Sequence, residues 1–297
     1  TGTPITKWAD DLFPFLCRAG ADRLKEKIGG LSMEKFLLRY CVVQQRRFNG
    51  SRVPVRLVVG DRNQDELREM LFSGDKPLAC RRLMEEVYAA MPPLTFTQNT
   101  VPLEMTADLR AALKHVEKMS ARQIEEALRQ KEESLSTARR LIGLGKVKAS
   151  VEEIAERVEA GQGPLLVLGW HVEVLKALVT RLQAKGVKAE ILYGGTSPKD
   201  KEALEAAFNA GTIDVLVGQI AAMGVSLNMQ GGCRAIVVER DWSPAVMDQA
   251  IKRLWRYGQE RHVHVDYFDS DNKLDDAVRK IGGRKAASHK SILGDAR

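Results

Sequence analysis

Only four of the 297 residues are cysteines (Cys17, Cys41, Cys80 and Cys233), and no two of them form a CxxC pair. That scarcity excludes a disulfide scaffold, removes the ligand spacing of a structural zinc site, and fits a reduced intracellular chain, cytoplasmic in a bacterial or phage setting and nuclear in a eukaryotic one. Long apolar runs are lacking as well. The longest candidate, Pro164 to Trp170, is strand-sized, far short of the roughly 20 residues that a bilayer-crossing helix needs. Hydrophobic residues at 44% and charged residues at 29% exclude a disordered or collagen-like chain. No signal peptide is present, and the opening TGTPI reads as mid-protein sequence, so the expectation is a piece of a longer chain.

A nucleotide-hydrolysing P-loop is also missing. Such a loop needs GxxxxGK[ST] after a strand, because its backbone amides cradle phosphate and its hydroxyl holds Mg2+. The nearest string, GLGKVK from Gly143, has Arg140 where the first glycine belongs and Val147 where the hydroxyl belongs. No acidic pair follows a buried strand, since Asp65-Glu66 lies in a polar helical stretch. His262 and His264 share a strand face without a third ligand nearby, which reads as a polar face and not as a metal site. No metal ligands are assigned.

What the chain does have is positive charge. The net formal charge is +7, and the stretch from Arg18 to Arg56 carries ten basic residues against three acids, including Arg46, Arg47 and Arg52. The segment from Arg279 to Arg297 adds six against one. Two separate basic clusters favour a polyanionic partner over a merely solvated surface.

The C-terminal half has the clearer rhythm. Strand-length apolar runs at Leu165–Leu168, Ala189–Tyr193, Asp214–Gly218, Ala235–Glu239 and Val263–Phe268 alternate with helical patterns such as Val172–Ala184 and Lys199–Asn209. Buried strands alternating with amphipathic helices predict an α/β fold, a doubly wound and mostly parallel sheet over roughly 150–270. Ligands of such a sheet sit at the carboxyl ends of the strands. The N-terminal half is punctuated by Pro and Gly and holds long polar helical stretches, the longest from Ala107 to Arg140.

Ser243 to Gln259 is expected to be a helix, capped by Ser243, with Pro244 at its first position and Gly258 just past its end. Gln249, Arg253 and Arg256 then fall at i, i+4 and i+7 on one face. Two guanidiniums pointing the same way suit phosphate oxygens. The alternative is that basic residues near a helix end complement its dipole. Upstream, the strand at Asp214–Gly218 runs into QIAAMGVSLNMQGG, a small-residue turn whose N–H groups can approach a phosphate.

Taken in order, these segments resemble the Swi/Snf-type DNA translocases of helicase superfamily two. Gln249–Gln259 matches that family's motif VI, QAxxRxxRxGQ, in every fixed position. Ala222–Asn228 looks like motif V, Leu165–His171 like motif IV, and TGTPI followed by DLFPFL like motif III and its continuation. Tyr40-Cys41, Asn49-Gly50 and Cys80–Pro93 are similar to the annealing-helicase branch. The departures are Met223 and Ser226, where glycines are usual, and Trp255, where histidine is frequent.

The resemblance implies a RecA-like second lobe over 151–270. Before it stand the end of a first lobe at 1–17 and a helical insertion at 18–150, and after it comes a basic tail at 271–297. It implies arginine fingers at Arg253 and Arg256, an ATP-side set of Gly224, Gln249, Arg253 and Arg256, and DNA contacts at His171, Gly195, Thr196, Ser226 and Asn228, with Arg46, Arg47 and Arg52 adding charge. ATP with Mg2+ is expected in the full-length protein and not on this fragment alone. The expected partners are double-stranded DNA and the first lobe of the same chain, with no membrane. The competing reading is a non-motor nucleotide- or nucleic-acid-binding module on the same doubly wound fold.

Overall fold

The structure, a computed structural model, describes residues 5, 8–46, 55–80, 91–130, 132–223 and 227–293, with backbone alone at Arg46, Val55 and Arg129. It divides into two compact units, residues 1–87 with 243–245 and 282–297, and residues 88–242 with 246–281.

The first unit contains helices α1 (Phe13–Ala19), α2 (Ala21–Ile28) and α3 (Met33–Tyr40), an antiparallel hairpin of β1 (Cys41–Arg46) and β2 (Val55–Asp61), and α4 (Gln64–Phe72). Leu12, Leu16, Leu24, Phe36, Tyr40 and Leu67 form its core. Gly29 takes φ +66° and donates to Lys25 O, the left-handed stop that lets α2 end within two residues of the next turn. Several of its basic residues are engaged internally. Arg39 grips both oxygens of Glu66, Arg56 pairs with Glu34 at 2.8 Å, and Arg23 donates to the carbonyls of Met70, Ser73 and Lys76.

The second unit is built on a sheet of β3 (Leu94–Thr100), β4 (Leu165–Gly169), β5 (Ala189–Leu192), β6 (Val215–Gln219), β7 (Arg234–Val237) and β8 (Val263–Asp269). Among the described residues the order is β3-β8-β7-β4-β6-β5, with every neighbouring pair parallel. This is the expected α/β, RecA-like doubly wound fold. β4 is buried along its whole length, as a central strand covered on both faces requires.

Around the sheet run α5 (Ala107–Glu117), α6 (Ala121–Gln130), α7 (Glu133–Glu159), α8 (Val172–Ala184), α9 (Pro198–Asn209), the short α10 (Ile220–Met223), α11 (Pro244–Ile251) and α12 (Lys273–Leu293). On α8, Val174, Leu175, Leu178, Val179 and Leu182 recur at helical spacing and bury one stripe against the sheet. The stretch Ala107–Arg140 divides into three helices. Ser120 breaks it, forming a reciprocal cap in which its N–H donates to Gln123 Oε1 and Gln123 N–H donates to Ser120 Oγ. The tail expected after 270 is helical, as α12 shows.

β3 has no counterpart among the expected strands. Its sequence, LTFTQNT, is largely solvent-exposed and lacks the apolar run that marks the others. Its place comes from parallel pairing with β8, from Leu94 opposite Val263 to Thr100 opposite Asp269.

Candidate functional site

At the carboxyl edge of the second unit's sheet, the loops after β4, β5, β6 and β7 come together, the place where doubly wound sheets bind their ligands. One side chain ties the described residues that follow β6. Arg253 donates through Nε to Met223 O at 3.0 Å and through Nη1 to Leu227 O at 3.5 Å, and its own carbonyl accepts from Met229 N at 2.9 Å. Arg253 thereby holds Met223 and Leu227, and the expected contacts Gly224 and Ser226 lie outside the described residues.

The helix expected from Ser243 to Gln259 is shorter than its sequence suggested. α11 ends at Ile251, and residues 252–258 proceed through turns. The physical reason is side-chain competition for backbone groups. The buried Gln259 amide donates to Gly232 O at 2.8 Å and to Gln230 O and Leu254 O at 3.2 Å each, and Trp255 Nε1 donates to Pro92 O at 2.7 Å. Gly258 does take a positive φ, +91°. Arg253 and Arg256 therefore do not stack on one helical face: Arg253 is half-buried, whereas Arg256 is exposed with no hydrogen-bonded or ionic side-chain partner among the described residues. Burial, then the charge of Arg256, lowers the Arg253 pKa from the ordinary guanidinium value, with Glu205 pulling the other way. Gln249, on α11, is half-buried.

The departures from the family pattern have physical uses. Trp255 is buried and anchors the turn to Pro92. Met223 is buried over Gly218, where an added Cβ would meet its Sδ at 2.8 Å. Gly231 and Gly232 serve close packing. A Cβ at Gly231 would lie 2.3 Å from Asn209 Cα, and one at Gly232 would lie 2.6 Å from Phe208 Cζ. Their N–H groups are already taken by Asn209 Oδ1 and Met229 O, so these two glycines offer no phosphate cradle.

The residues expected to meet DNA divide into separate groups. Gly195 is exposed, and Thr196 turns its hydroxyl to the Tyr193 N–H at 3.0 Å. His171 faces inward, with Nδ1 2.6 Å from Glu239 Oε1. Asn228 donates from Nδ2 to Gln230 and receives Asn209 Nδ2 at its carbonyl, leaving its buried Oδ1 without a partner among the described residues. Arg46 ends β1 in the first unit, while its side chain and all of Arg47 and Arg52 lie outside the described residues.

Four further residues organise the edge. Glu239 Oε2 accepts the N–H groups of Trp170 and His171 at 2.9 Å each, where α8 begins, and a carboxylate there complements the helix dipole. Gln219 joins the loops after β4 and β5, and Gln259 fastens the segment after β6 to the turns after α11. Lys146, from the GLGKVK string, sits inside α7 and donates to Val238 O, Phe268 O and Asp275, so it holds strand ends and no phosphate. Gln259 carried a sequence signal as a fixed position of motif VI and Lys146 as part of the string nearest to a P-loop, whereas Glu239 and Gln219 matched no motif. Arg139 lines a surface notch of the same edge with Lys146 and Glu239, and its guanidinium lies over the rings of both Trp170 and Trp242. Among the described residues no cluster of three metal-ligating side chains occurs, and no helix is long and apolar enough to cross a membrane.

Residues 145–258 match the helicase conserved C-terminal domain. The chain is 28% identical over 243 residues to the SWI/SNF-related matrix-associated actin-dependent regulator of chromatin subfamily A-like protein 1 of Xenopus tropicalis, a match covering 81% of this chain and 25% of that protein. It is 27% identical over 153 residues to DNA repair protein RAD5A of Arabidopsis thaliana, covering 50% and 15%. Among solved structures, the C-terminal part of the Fun30 ATPase domain is similar at TM-score 0.51 and 11% identity, over 68% of this chain and 97% of that one. The SWI2/SNF2 ATPase core domain of Sulfolobus solfataricus is similar at TM-score 0.53 and 18% identity, over 69% and 46%. The structural likenesses carry the fold alone, and the chain spans about a quarter of the length of the first curated relatives it matches.

Proposed function

We propose that this chain, the C-terminal RecA-like lobe of a SWI/SNF-type helicase of superfamily two, serves an ATP-driven translocase of double-stranded DNA, supplying arginine fingers and half of the DNA groove. The observation that carries this reading is the pair Arg253 and Arg256. The first is fastened to the backbone on both sides of the loop after β6, and the second is left exposed at the same edge. A permanently charged, planar fork held beside a loop of small residues suits the phosphate oxygens of a nucleotide.

The residues present fit one half of an ATP site. Arg256 has the exposure an arginine finger needs, Gln249 lies just before it on α11, and Gly224 belongs to the motif V segment after β6. Lys146 does not substitute for a P-loop lysine, because its protons are held by two carbonyls and a carboxylate. Bound ATP with Mg2+ supplies the transferable γ-phosphoryl group. This lobe contributes charge that stabilises the group in transfer, and the phosphate cradle and metal ligands come from a first lobe upstream. On DNA, the loops at Gly195–Thr196 and at Ser226–Asn228 track the phosphate backbone without reading bases. Relatives named for chromatin regulation and DNA repair favour a nuclear setting.

The test joins this lobe to an upstream lobe carrying a P-loop and measures phosphate release with and without duplex DNA. Duplex-stimulated release is expected from the joined protein and none from this chain alone. Release by the chain alone, or a joined protein that binds nucleotide and duplex without hydrolysis, overturns the reading, the latter in favour of a non-motor binding module.

A further inference from the structure

The loop after β4 is held from both sides by its strand neighbours. β4 lies between β7 and β6 in the sheet. From the β7 side, Glu239 takes the N–H groups of Trp170 and His171. From the β6 side, Gln219, the last residue of that strand, donates through Nε2 to Trp170 O at 3.3 Å. The same amide continues outward to the loop after β5, where its Oε1 accepts the Gly194 N–H at 3.0 Å. A hydrogen-bonded rail thus crosses the carboxyl ends of β7, β4, β6 and β5.

Gln219 is the joint of that rail. An amide carries an acceptor and a donor side by side without charge, so one side chain satisfies a backbone N–H on one loop and a backbone carbonyl on the other. It adds no negative charge beside a face that would meet phosphates. Its own chain then runs through α10 to Met223, whose carbonyl holds the Arg253 guanidinium. The two ends of the site are therefore four residues apart along the backbone, with Gln219 at one and Met223 at the other.

We propose that Gln219 is a positioning residue for duplex DNA, setting the Gly194–Thr196 loop and the Trp170–His171 loop in the relative arrangement that meets the phosphate backbone. This rests on the DNA-translocase reading above. Gly195 and Thr196 are expected to touch DNA, and Gln219 acts on them through the Gly194 amide. An alternative in which Gln219 merely stabilises the fold predicts a different pattern: a loss of stability without a selective change at Gly194 or in DNA affinity.

The experiment uses the chain itself with a random-sequence duplex. Gln219→Met keeps the length and loses both hydrogen bonds. Exchange of the Gly194 amide should accelerate by about tenfold or more. Duplex affinity at low salt should fall about fivefold, the scale of one lost neutral hydrogen bond, while the melting temperature falls by no more than the few degrees that two lost hydrogen bonds account for. Gln219→Glu retains the acceptor and loses the donor, so the Gly194 amide should exchange within about twofold of wild type if that acceptor is the group that protects it. Unchanged Gly194 exchange in Gln219→Met, or unchanged duplex affinity where the wild-type chain binds, overturns the proposal. Fast Gly194 exchange in a folded Gln219→Glu does so too. If the wild-type chain itself shows no duplex binding, the DNA reading fails and this proposal fails with it.

Discussion

Lys146 Nζ lies 2.6 Å from Asp275 Oδ2, so one ion pair fastens α7 to α12 over the carboxyl ends of β7 and β8. The ammonium also donates to Val238 O at 3.2 Å and Phe268 O at 3.0 Å, and its side chain is 3% exposed. Asp275 in turn accepts from the Ser270 N–H and hydroxyl at 2.9 Å each. With all three ammonium protons placed and Asp275 Oδ2 accepting three times, the pair specifies how the two helices meet the sheet, and its worth shows when one partner is removed.

Lys146→Met should destabilise the chain by up to about 3–5 kcal/mol at neutral pH, because it leaves a half-buried carboxylate without its counter-charge. The pH dependence has a definite sign. Burial opposes ionisation of Asp275, but the Lys146 ammonium and the Ser270 hydrogen bonds overcome it and hold the carboxyl below its usual range. A depressed folded pKa contributes stability above the unfolded value of about 3.9 that is lost as pH falls through the folded pKa. In Lys146→Met, burial is opposed by the Ser270 hydrogen bonds alone, so protonating Asp275 relieves part of the cost. The stability gap between wild type and variant, measured by urea unfolding, should therefore narrow from pH 7 toward pH 4. A constant gap would show that Asp275 does not titrate with the pair.

Gly143→Ala tests the space reserved for Glu239. Helix propensity favours alanine by about 1 kcal/mol within a helix such as α7. Against that, the new Cβ would lie 2.6 Å from Glu239 Oε1 and 2.8 Å from Val174 Cγ2. Overpacking of this kind costs about 1–3 kcal/mol. Packing should win, giving a lower melting temperature and weaker protection of the Trp170 and His171 amides. A more stable Gly143→Ala variant would mean that Glu239 moves aside without loss.

The sheet was legible in the sequence because its central strands are continuous apolar runs, and Val172–Ala184 was bounded correctly because its stripe and its ends coincide. β3 was not legible, since an exposed edge strand has no apolar signature and owes its place to β8. The turns after Ile251 were hidden for a related reason: QAIKRLWRYGQ has good helix formers, and only tertiary partners such as Gln230, Gly232 and Pro92 draw its backbone away. Gln219 and Glu239 gave no motif signal. What identifies them is their position at strand ends that become neighbours only once the strand order is known.

The two arginines should be separable in a protein that joins this lobe to a P-loop lobe. Arg256→Ala should lower turnover by about 10³-fold or more, the scale of a lost arginine finger, without lowering stability, since Arg256 is exposed. Arg253→Ala should lower turnover to a similar degree and also destabilise, because the carbonyls of Met223 and Leu227 lose their shared donor. Steady-state phosphate release and thermal melting of both variants decide it. Near wild-type turnover in either variant would remove that residue from the finger assignment.

Binding of duplex DNA by this chain should be weak, indifferent to sequence and steep in salt. The basic residues of the first unit are not equivalent: Arg39 and Arg56 are paired with Glu66 and Glu34, and Arg23 caps backbone carbonyls, so their charge is partly neutralised in place. Arg46 at the end of β1, and Arg47 and Arg52 between β1 and β2 in the sequence, are the residues we expect to release counterions from phosphate. Half of a two-lobe groove should reach the range of about 10⁻⁴–10⁻⁶ M that binding to the phosphate backbone alone supplies. Replacing the three arginines together should make the dependence of log affinity on log salt shallower by up to about three units, one for each phosphate left without its arginine. Replacing Arg39 should change that slope less, since removing it also frees Glu66. Titrations of two unrelated duplexes at several salt concentrations measure all of this. Strong discrimination between the duplexes, affinity insensitive to salt, or a triple variant with the wild-type slope would each take the DNA interaction away from this part of the chain.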